Sequence, residues 1–508
     1  MRHCLGSGHA VARFCQCCAR HSVSLAIPRR LALGRRFSVG VAISKRSGER
    51  NLDHNVKSSG VLDVLAHRHH RVHRNGVLLP AAVPPASRAP SAAATAGQEM
   101  TSQALLPRVT GTVPGTPTTS VAGIRALYVH IPFCERKCEY CDFTSVAGLH
   151  GERAYMDALR GEIRMLAAQC PGVVLDTVFV GGGTPSLVDP QRLAAVMHEI
   201  RDGFTLAPGA EITLEANPSS TSRERAARWR VAGFNRVSLG VQSLEPDVLQ
   251  FLGRVHDARR ALEAVDEVHA AGFESVNCDL IYAVPGLDDR RWQSTLQRVI
   301  ASGPTHMSCY ELTVEPATPL HRSVRLGHVT PVAGEDALRQ HRIALDQLTS
   351  AGLAQYEVSN FARSGAQSRH NIVYWRNGYY LAAGVGAHGH VPASAAGALG
   401  LSAGTEDVAV RYWHGKGISA YVSAIGAGRI PIQGHEAVDV ASHEQERLML
   451  GLRLNDGVVV SHPGARREAE VLARAGLVLV SGDRIRVSRR GEDVLNAVAL
   501  RLTDALAA

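Results

Sequence analysis

Three cysteines in eight residues, Cys134, Cys138 and Cys141, are spaced CxxxCxxC directly after the apolar run Ala126–His130 and the turn at Pro132. A short loop leaving a strand holds three thiolates close enough to bind three irons of one cubane cluster. Such clusters usually take four cysteines. Three ligands leave one iron open, as catalytic metal sites keep a position open for exchangeable chemistry. A zinc site would need a second CxxC or an HxxxH pair, and none follows at zinc spacing.

Further polar residues fall where strands should end. Val178–Val180 runs into Gly181-Gly182-Gly183-Thr184-Pro185, and a strand ending in glycines lets backbone amides approach a bound polar group. Glu215, Gln242 and Asp279 close three other apolar runs, and Arg254 follows the fourth strand. Each alone reads equally well as a cap or a salt-bridge residue. Together they place polar groups on the rim that the cysteine loop shares.

The elements that must position them are legible from Ile124 onward. Strand candidates are Ala126–His130, Asp176–Val180, Glu211–Glu215, Arg236–Gly240, Ser275–Ile281 and His306–Leu312. Helical patterns alternate with them, including Glu152–Ala168, Pro190–Arg201 and Ala258–Ala271. Alternating β and α units predict an α/β fold with a parallel sheet, here an incomplete (β/α)6 TIM-like barrel with functional residues at the carboxyl ends of its strands. Near the end, Leu477–Val480, the turn Ser481-Gly482-Asp483 and Arg484–Val487 read as a hairpin between helices, a winged-helix-like order. The expected division is an extension over 1–120, the partial barrel over 121–345, a connecting region over 346–405 and a C-terminal domain over 406–508.

Composition narrows the function. The chain has 508 residues and a net charge of +9, but residues 1–100 hold 15 Lys and Arg against 4 Asp and Glu, whereas the rest holds 40 against 42. The body therefore makes no electrostatic case for nucleic acid. Arg484, Arg486, Arg489 and Arg490 cluster on the wing, yet residues 440–508 carry 10 basic and 9 acidic side chains. No apolar run reaches the roughly 18 residues that span a bilayer. Residues 1–120 lack sustained periodicity and read as a disordered basic extension. Its Arg-rich, acid-poor start resembles an organelle-targeting peptide, and Met100 is an alternative beginning. Cys15, Cys17 and Cys18 there could bind metal. Thiolates offered to iron need a reducing compartment, which places the protein in the cytoplasm, or in the mitochondrial matrix if the extension is a targeting leader.

Tyr128-Val-His-Ile-Pro-Phe-Cys134, CxxxCxxC, GGGTP, Gly240-Val-Gln-Ser243 and Asp279-Leu-Ile-Tyr282, in that order, resemble the radical S-adenosylmethionine (SAM) proteins, and more narrowly the oxygen-independent coproporphyrinogen III oxidase superfamily. The resemblance runs from about Ala126 to the C-terminus. It implies that Cys134, Cys138 and Cys141 bind a [4Fe-4S] cluster whose fourth iron SAM chelates, with an electron donor for the cluster. It also implies that Tyr128, Tyr140, Gly182, Gly183, Thr184, Glu215, Gln242, Arg254 and Asp279 line the SAM site. Two departures select the branch. The oxidase carries another cysteine two residues after the third, where this chain has Phe143. In addition, Ser368-Arg-His370-Asn371-Ile-Val-Tyr374-Trp375 gives an HNxxYW pattern similar to that of the HemW haem chaperones.

That likeness implies haem binding and transfer to an acceptor protein, such as a membrane-bound respiratory protein, rather than enzymatic decarboxylation; the alternative is coproporphyrinogen III oxidase activity. His370 could ligate iron while Tyr374 and Trp375 face the porphyrin. Equally, His370 and Asn371 could cap local backbone while Tyr374 and Trp375 fill a domain junction. His388 and His390 compete as ligands.

Overall fold

Six β-strands run side by side in one direction because each is followed by a helix that returns the chain to the same edge. The computed structural model describes residues 121–507, all in one compact unit; the expectations for residues 1–120 lie outside the described residues. The strands are β1 (Ile124–Ile131), β2 (Val174–Gly182), β3 (Thr205–Ala216), β4 (Arg236–Gln242), β5 (Ser275–Tyr282) and β6 (His306–Glu311). Consecutive strands pair in parallel from β1 to β6. The helices between them are α1 (Glu152–Gln169), α2 (Pro190–Gly203), α3 (Arg223–Ala232), α4 (Ala258–Ala270) and α5 (Asp289–Ala301). Four have side-chain N-caps: Asp189, Ser222, Asp257 and Asp288 accept from backbone N–H groups two or three residues on. Each cap stabilises its helix by about 1 kcal/mol and fixes where the loop above the barrel ends.

The six strand candidates are all present, and the sheet does not close on itself. It extends beyond them at both edges. After α6 (Gly334–Ser350) come β7 (Ala354–Glu357) and β8 (Asn360–Ala362), with β8 antiparallel to β6. A short helix α7 (Arg369–Trp375) then crosses back, and β9 (Tyr379–Ala383) joins the far side of β1 in parallel. Antiparallel β10 (His388–Pro392), β11 (Asp407–His414) and β12 (Ile432–Asp439) complete a twelve-stranded sheet. The boundaries drawn at 345 and 405 thus fall among segments of one continuous sheet. The physical reason is that β7 to β10 are short, and β10 to β12 carry His, Trp and Gly in place of the β-branched runs that mark β1 to β6.

From Val440 onward a second core forms, built on Leu448, Leu472, Ile485 and Leu502. Its order is helix, strand, helix, hairpin, helix. Val458–Val459 pairs with the Arg484–Val487 arm of the hairpin and makes a third strand that the sequence did not reveal. Two of the four wing arginines are spent inside the protein: Arg489 pairs with Asp346 of α6 at 2.7 Å, and Arg484 donates to the carbonyls of Asp456 and Gly457.

Candidate active site: a cysteine loop over a polar barrel

Strand alternation decides which side chains enter the barrel. On β4 the inward positions are Arg236, Ser238, Gly240 and Gln242; on β5 they include Asn277, Asp279 and Ile281; on β6 they are His306, Ser308 and Tyr310. All line one cavity. Val237, Leu239, Val276 and Leu280 are instead fully buried in the hydrophobic core. The cavity encloses about 170 Å³ beneath an open mouth.

The cysteine loop sits at its mouth. Phe133–Cys134 pairs in parallel with Val146–Ala147 on the return of the loop, and the Gly148 amide donates to the Cys134 carbonyl at 2.8 Å. Cys134, Cys138 and Cys141 are half-buried, carry no disulfide and line the cavity, with Phe143 beside them. The other described cysteines, Cys170, Cys278 and Cys309, are buried away from the cavity lining. Burial raises the Cys134 thiol and pushes Cys141 up to about 11, so these groups would become thiolates only beside strong positive charge, which iron supplies. Among the described residues no group of three His, Cys, Asp or Glu meets at the spacing of a single metal ion. A cubane asks for a wider triangle, with one thiolate at each of three irons. The donor set fits it.

The GGGT turn clamps this loop. The Gly183 amide donates to the Ile131 carbonyl at 2.8 Å and the Thr184 amide to that of Phe133 at 2.7 Å; the Gly182 amide donates to Glu215 Oε2 at 2.9 Å. These three amides are therefore engaged within the protein, a correction to the expectation that they approach a bound group directly. Gly182 has φ +115° and its missing Cβ would fall 2.5 Å from the His130 ring, so only glycine fits there. His130 in turn holds the loop's exit: Nε2 donates to the Thr144 carbonyl at 2.7 Å, and Tyr128 donates to Nδ1 at 3.0 Å. Burial lowers the His130 pKa to about 4, which keeps the imidazole neutral for this pair of bonds.

Eight of the nine residues expected around SAM line the cavity; Tyr128 lies behind it, against His130 and stacked on Phe179. Arg254 reaches across the mouth, donating to Asn217 Oδ1 at 2.6 Å and to the Gly240 carbonyl at 2.9 Å, with Nη1 3.7 Å from Cys138 Sγ. A Cβ at Gly240 would come within 3.1 Å of that guanidinium. The buried Nε of Arg254 has no protein partner. Gln242 has φ +64° at an irregularity in the β4–β5 pairing, strain of the kind found at ligand clamps. Burial raises the Asp279 pKa; hydrogen bonds from Ser308, Asn277 and Ser238 and the nearby Arg236 oppose the shift. This cradle of carboxylates, amides and a guanidinium suits a zwitterionic nucleoside such as SAM.

The HNxxYW residues occupy the opposite end. Helix α7 closes the floor of the barrel, where Glu211, midway along β3, accepts the Arg369 and His370 amides at 2.9 and 3.0 Å. His370 is 0% exposed. Its Nδ1 lies 2.8 Å from Thr177 Oγ1 and its Nε2 2.8 Å from the Tyr374 hydroxyl, while its ring stacks on Phe179. Burial lowers its pKa to about 3. Both nitrogens are thus committed, and this imidazole offers no lone pair to iron in the arrangement seen. Tyr374 and Trp375 pack with Leu450 and Leu454 at the junction with the C-terminal core. Only Asn371 of the four lines the cavity. Of the two competitors, His390 is fully buried with Nδ1 on the Gly378 carbonyl, and His388 is half-buried and stacked on Trp413.

Sequence reasoning missed Asn217, Arg236, Ser238, Asn277, His306 and Ser308. The signal was there: in strands buried on both faces, a polar residue at every second position marks a lined interior.

The Radical SAM superfamily model matches residues 128–299. A heme chaperone HemW of Mycobacterium tuberculosis is 38% identical over 385 residues, 74% of this chain and 94% of that protein. The bovine mitochondrial radical S-adenosyl methionine domain-containing protein 1 is 35% identical over 77% of this chain and 90% of its own length. A solved Escherichia coli coproporphyrinogen III oxidase (HemN), described as a radical SAM enzyme, matches with TM-score 0.64 at 22% identity, covering 76% of this chain and 92% of that one; it supports the fold alone. Relatives matched over nearly their whole length and a CxxxCxxC loop clamped over the mouth of a partial barrel lead to one conclusion: this chain belongs to the HemW family of radical SAM proteins.

Proposed function

We propose that this protein is a haem chaperone that binds haem and passes it to an acceptor protein. In this reading Cys134, Cys138 and Cys141 hold a [4Fe-4S] cluster with SAM on the open iron. The carrying observation is Phe143. It lines the cavity beside the cysteines, at the position where the oxidase branch has its further cysteine, in a chain 38% identical to a protein named heme chaperone.

When bound, the cluster supplies an electron for reductive cleavage of the SAM sulfonium, chemistry that belongs to the cofactor. The protein's share is placement. Glu215 and Asp279 offer acceptors to ribose hydroxyls or an ammonium group, and Arg254 offers a donor to a carboxylate. Phe143 and Phe179 give the cavity apolar wall. His130 and the GGGT turn hold the loop that presents the thiolates. For haem iron, His388 is better placed than His370, because it is neither fully buried nor locked between two hydroxyls.

Among the described residues no helix is long and apolar enough to cross a membrane, so delivery to a membrane-bound respiratory protein would be by docking. The compartment proposed is the cytoplasm or the mitochondrial matrix. One preparation tests the function: anaerobically reconstituted protein, titrated with haem and assayed beside it for coproporphyrinogen III oxidation. A saturable Soret band without conversion of the porphyrinogen is the expected result. Efficient conversion would overturn the chaperone reading.

A further inference from the structure

At the mouth, Arg254 is a cation aimed at a cysteine sulfur by a fixed backbone. It leaves the short helix Pro246–Phe251 through a Schellman turn: Gly253 has φ +68°, its amide donates to the Gln250 carbonyl at 3.0 Å, and the Arg254 amide donates to that of Leu249 at 2.9 Å. The turn lies on the cysteine loop, since a Cβ added at Gly253 would sit 3.8 Å from the Cys138 Cα. The guanidinium is then oriented from its far side. Nη2 donates to Asn217 Oδ1 at 2.6 Å and to the Gly240 carbonyl at 2.9 Å, which turns Nη1 toward Cys138 Sγ at 3.7 Å.

Among the described residues no carboxylate pairs with Arg254. A cation withdrawn from water needs an anion, and the Cys138 thiolate is the one the fold offers. The other cations of the loop, Arg136 and Lys137, are exposed, where solvent and salt screen them.

We propose that Arg254 tunes the iron–sulfur cluster: it donates an N–H···S bond to Cys138, sets a fixed positive charge beside it, and raises the reduction potential of the cluster. Hydrogen bonds to the sulfurs and net charge are among the factors that set such potentials. On reduction, one electron from a low-potential reductant enters the cluster, no bond forms or breaks, and the site becomes more negative by one charge. A neighbouring cation stabilises that product more than its precursor. Arginine keeps its proton throughout the working pH range, so the effect is constant there. It is separate from contact with SAM, for which the unpartnered Nε remains. The inference rests on the assignment of Cys134, Cys138 and Cys141 to a cluster made above.

The test is a redox titration of the reconstituted full chain with dithionite, followed by electron paramagnetic resonance, with and without SAM. Arg254→Gln should lower the midpoint potential in both states by about 60 mV or more, a tenfold loss in the one-electron equilibrium. Arg254→Lys should fall less, because it keeps the charge and loses the anchored fork. Asn217→Asp leaves Arg254 in place and gives it a carboxylate partner, so it should lower the potential as well. A potential unmoved by Arg254→Gln would overturn the proposal. So would a shift confined to the SAM-bound state, which would put the effect of Arg254 on SAM alone. If Arg254→Gln does not assemble a cluster, Asn217→Asp decides, and an unmoved potential there overturns the proposal in the same way. A wild type that assembles no cluster would sink the cysteine assignment and this inference with it, whereas an intact cluster with an unmoved potential sinks this inference alone.

Discussion

The two ends of the barrel use the same residue types to opposite effect. At the cysteine mouth, polar groups surround open space: Arg254 keeps a buried Nε without a protein partner, and Gln242 is held at φ +64°. At the floor, His370, Thr177, Tyr374, Glu211 and the α7 amides satisfy one another. Histidine and tyrosine are as suited to haem as cysteine is to iron, but a buried side chain whose hydrogen bonds are made is construction. What separates a binding site from a strut here is the bond left open; among the described residues at the floor, Arg236, Asn371, Thr213 and Trp375 each keep a buried polar atom without a hydrogen-bond partner.

Removing a thiol should break the mouth outright. Cys138→Ala is expected to abolish the iron–sulfur absorbance of reconstituted protein and its SAM binding, with a melting temperature close to that of wild-type apoprotein because the residue is half-buried. Absorbance retained at wild-type intensity would remove the cluster assignment. The matching change at the floor should act on stability. His370→Ala leaves Thr177 Oγ1 and the Tyr374 hydroxyl buried without their partner, a loss of roughly 3 kcal/mol, while haem affinity stays within a few-fold of wild type. Denaturant unfolding beside a haem titration reads both. A lost Soret band with unchanged stability would restore His370 as the iron ligand.

A third change lies where the floor meets the C-terminal core. Glu357 is fully buried, and its carboxylate accepts from Asn360 Nδ2 and the Ser359 amide. Burial outweighs these bonds and the nearby Arg453, and raises its pKa from an ordinary 4.5 to about 7. A raised carboxylate pKa means that the folded state holds its proton longer than the unfolded state does. Its contribution to stability is complete below pH 4.5 and is lost as pH rises through about 7. Glu357→Gln, neutral throughout, should therefore match wild type near pH 4.5 and exceed it at pH 8, by up to about 3 kcal/mol. Unfolding curves across that range check it. A constant offset would mean that Glu357 titrates normally.

The mouth was far more legible in the sequence than the floor, for physical reasons. Cys134, Cys138 and Cys141 are eight residues of contiguous text, and the six parallel strands carry dense apolar runs. The roles of Gly182 and Gly183 were harder to read, because a glycine-rich turn looks the same whether its amides face a ligand or clamp the chain beside it. HNxxYW was visible as a pattern, but its placement depends on β9 returning to the far side of β1, a pairing between residues about 250 apart in sequence that no local periodicity announces. Arg236 was read as the start of a strand, and only its inward register shows that it lies in the cavity.

The smallest expected effect separates ligand contact from clamping within the mouth itself. Glu215 Oε2 accepts the Gly182 amide at 2.9 Å, so it belongs both to the cavity wall and to the turn that grips the cysteine loop. Glu215→Gln keeps a side-chain oxygen for that amide and removes the charge. If the carboxylate also meets SAM, affinity should fall about tenfold, or 1.4 kcal/mol, because bonds to an ionised acceptor are about twice as strong as neutral ones. The cluster absorbance should be unchanged, since the clamp survives. Calorimetry on the reconstituted variant reads the first and visible spectroscopy the second. Unchanged SAM affinity would make Glu215 a clamp like His130. The mouth would then resemble the floor, with part of its polar lining spent on construction, and Gln242, Arg254 and Asp279 would carry the ligand.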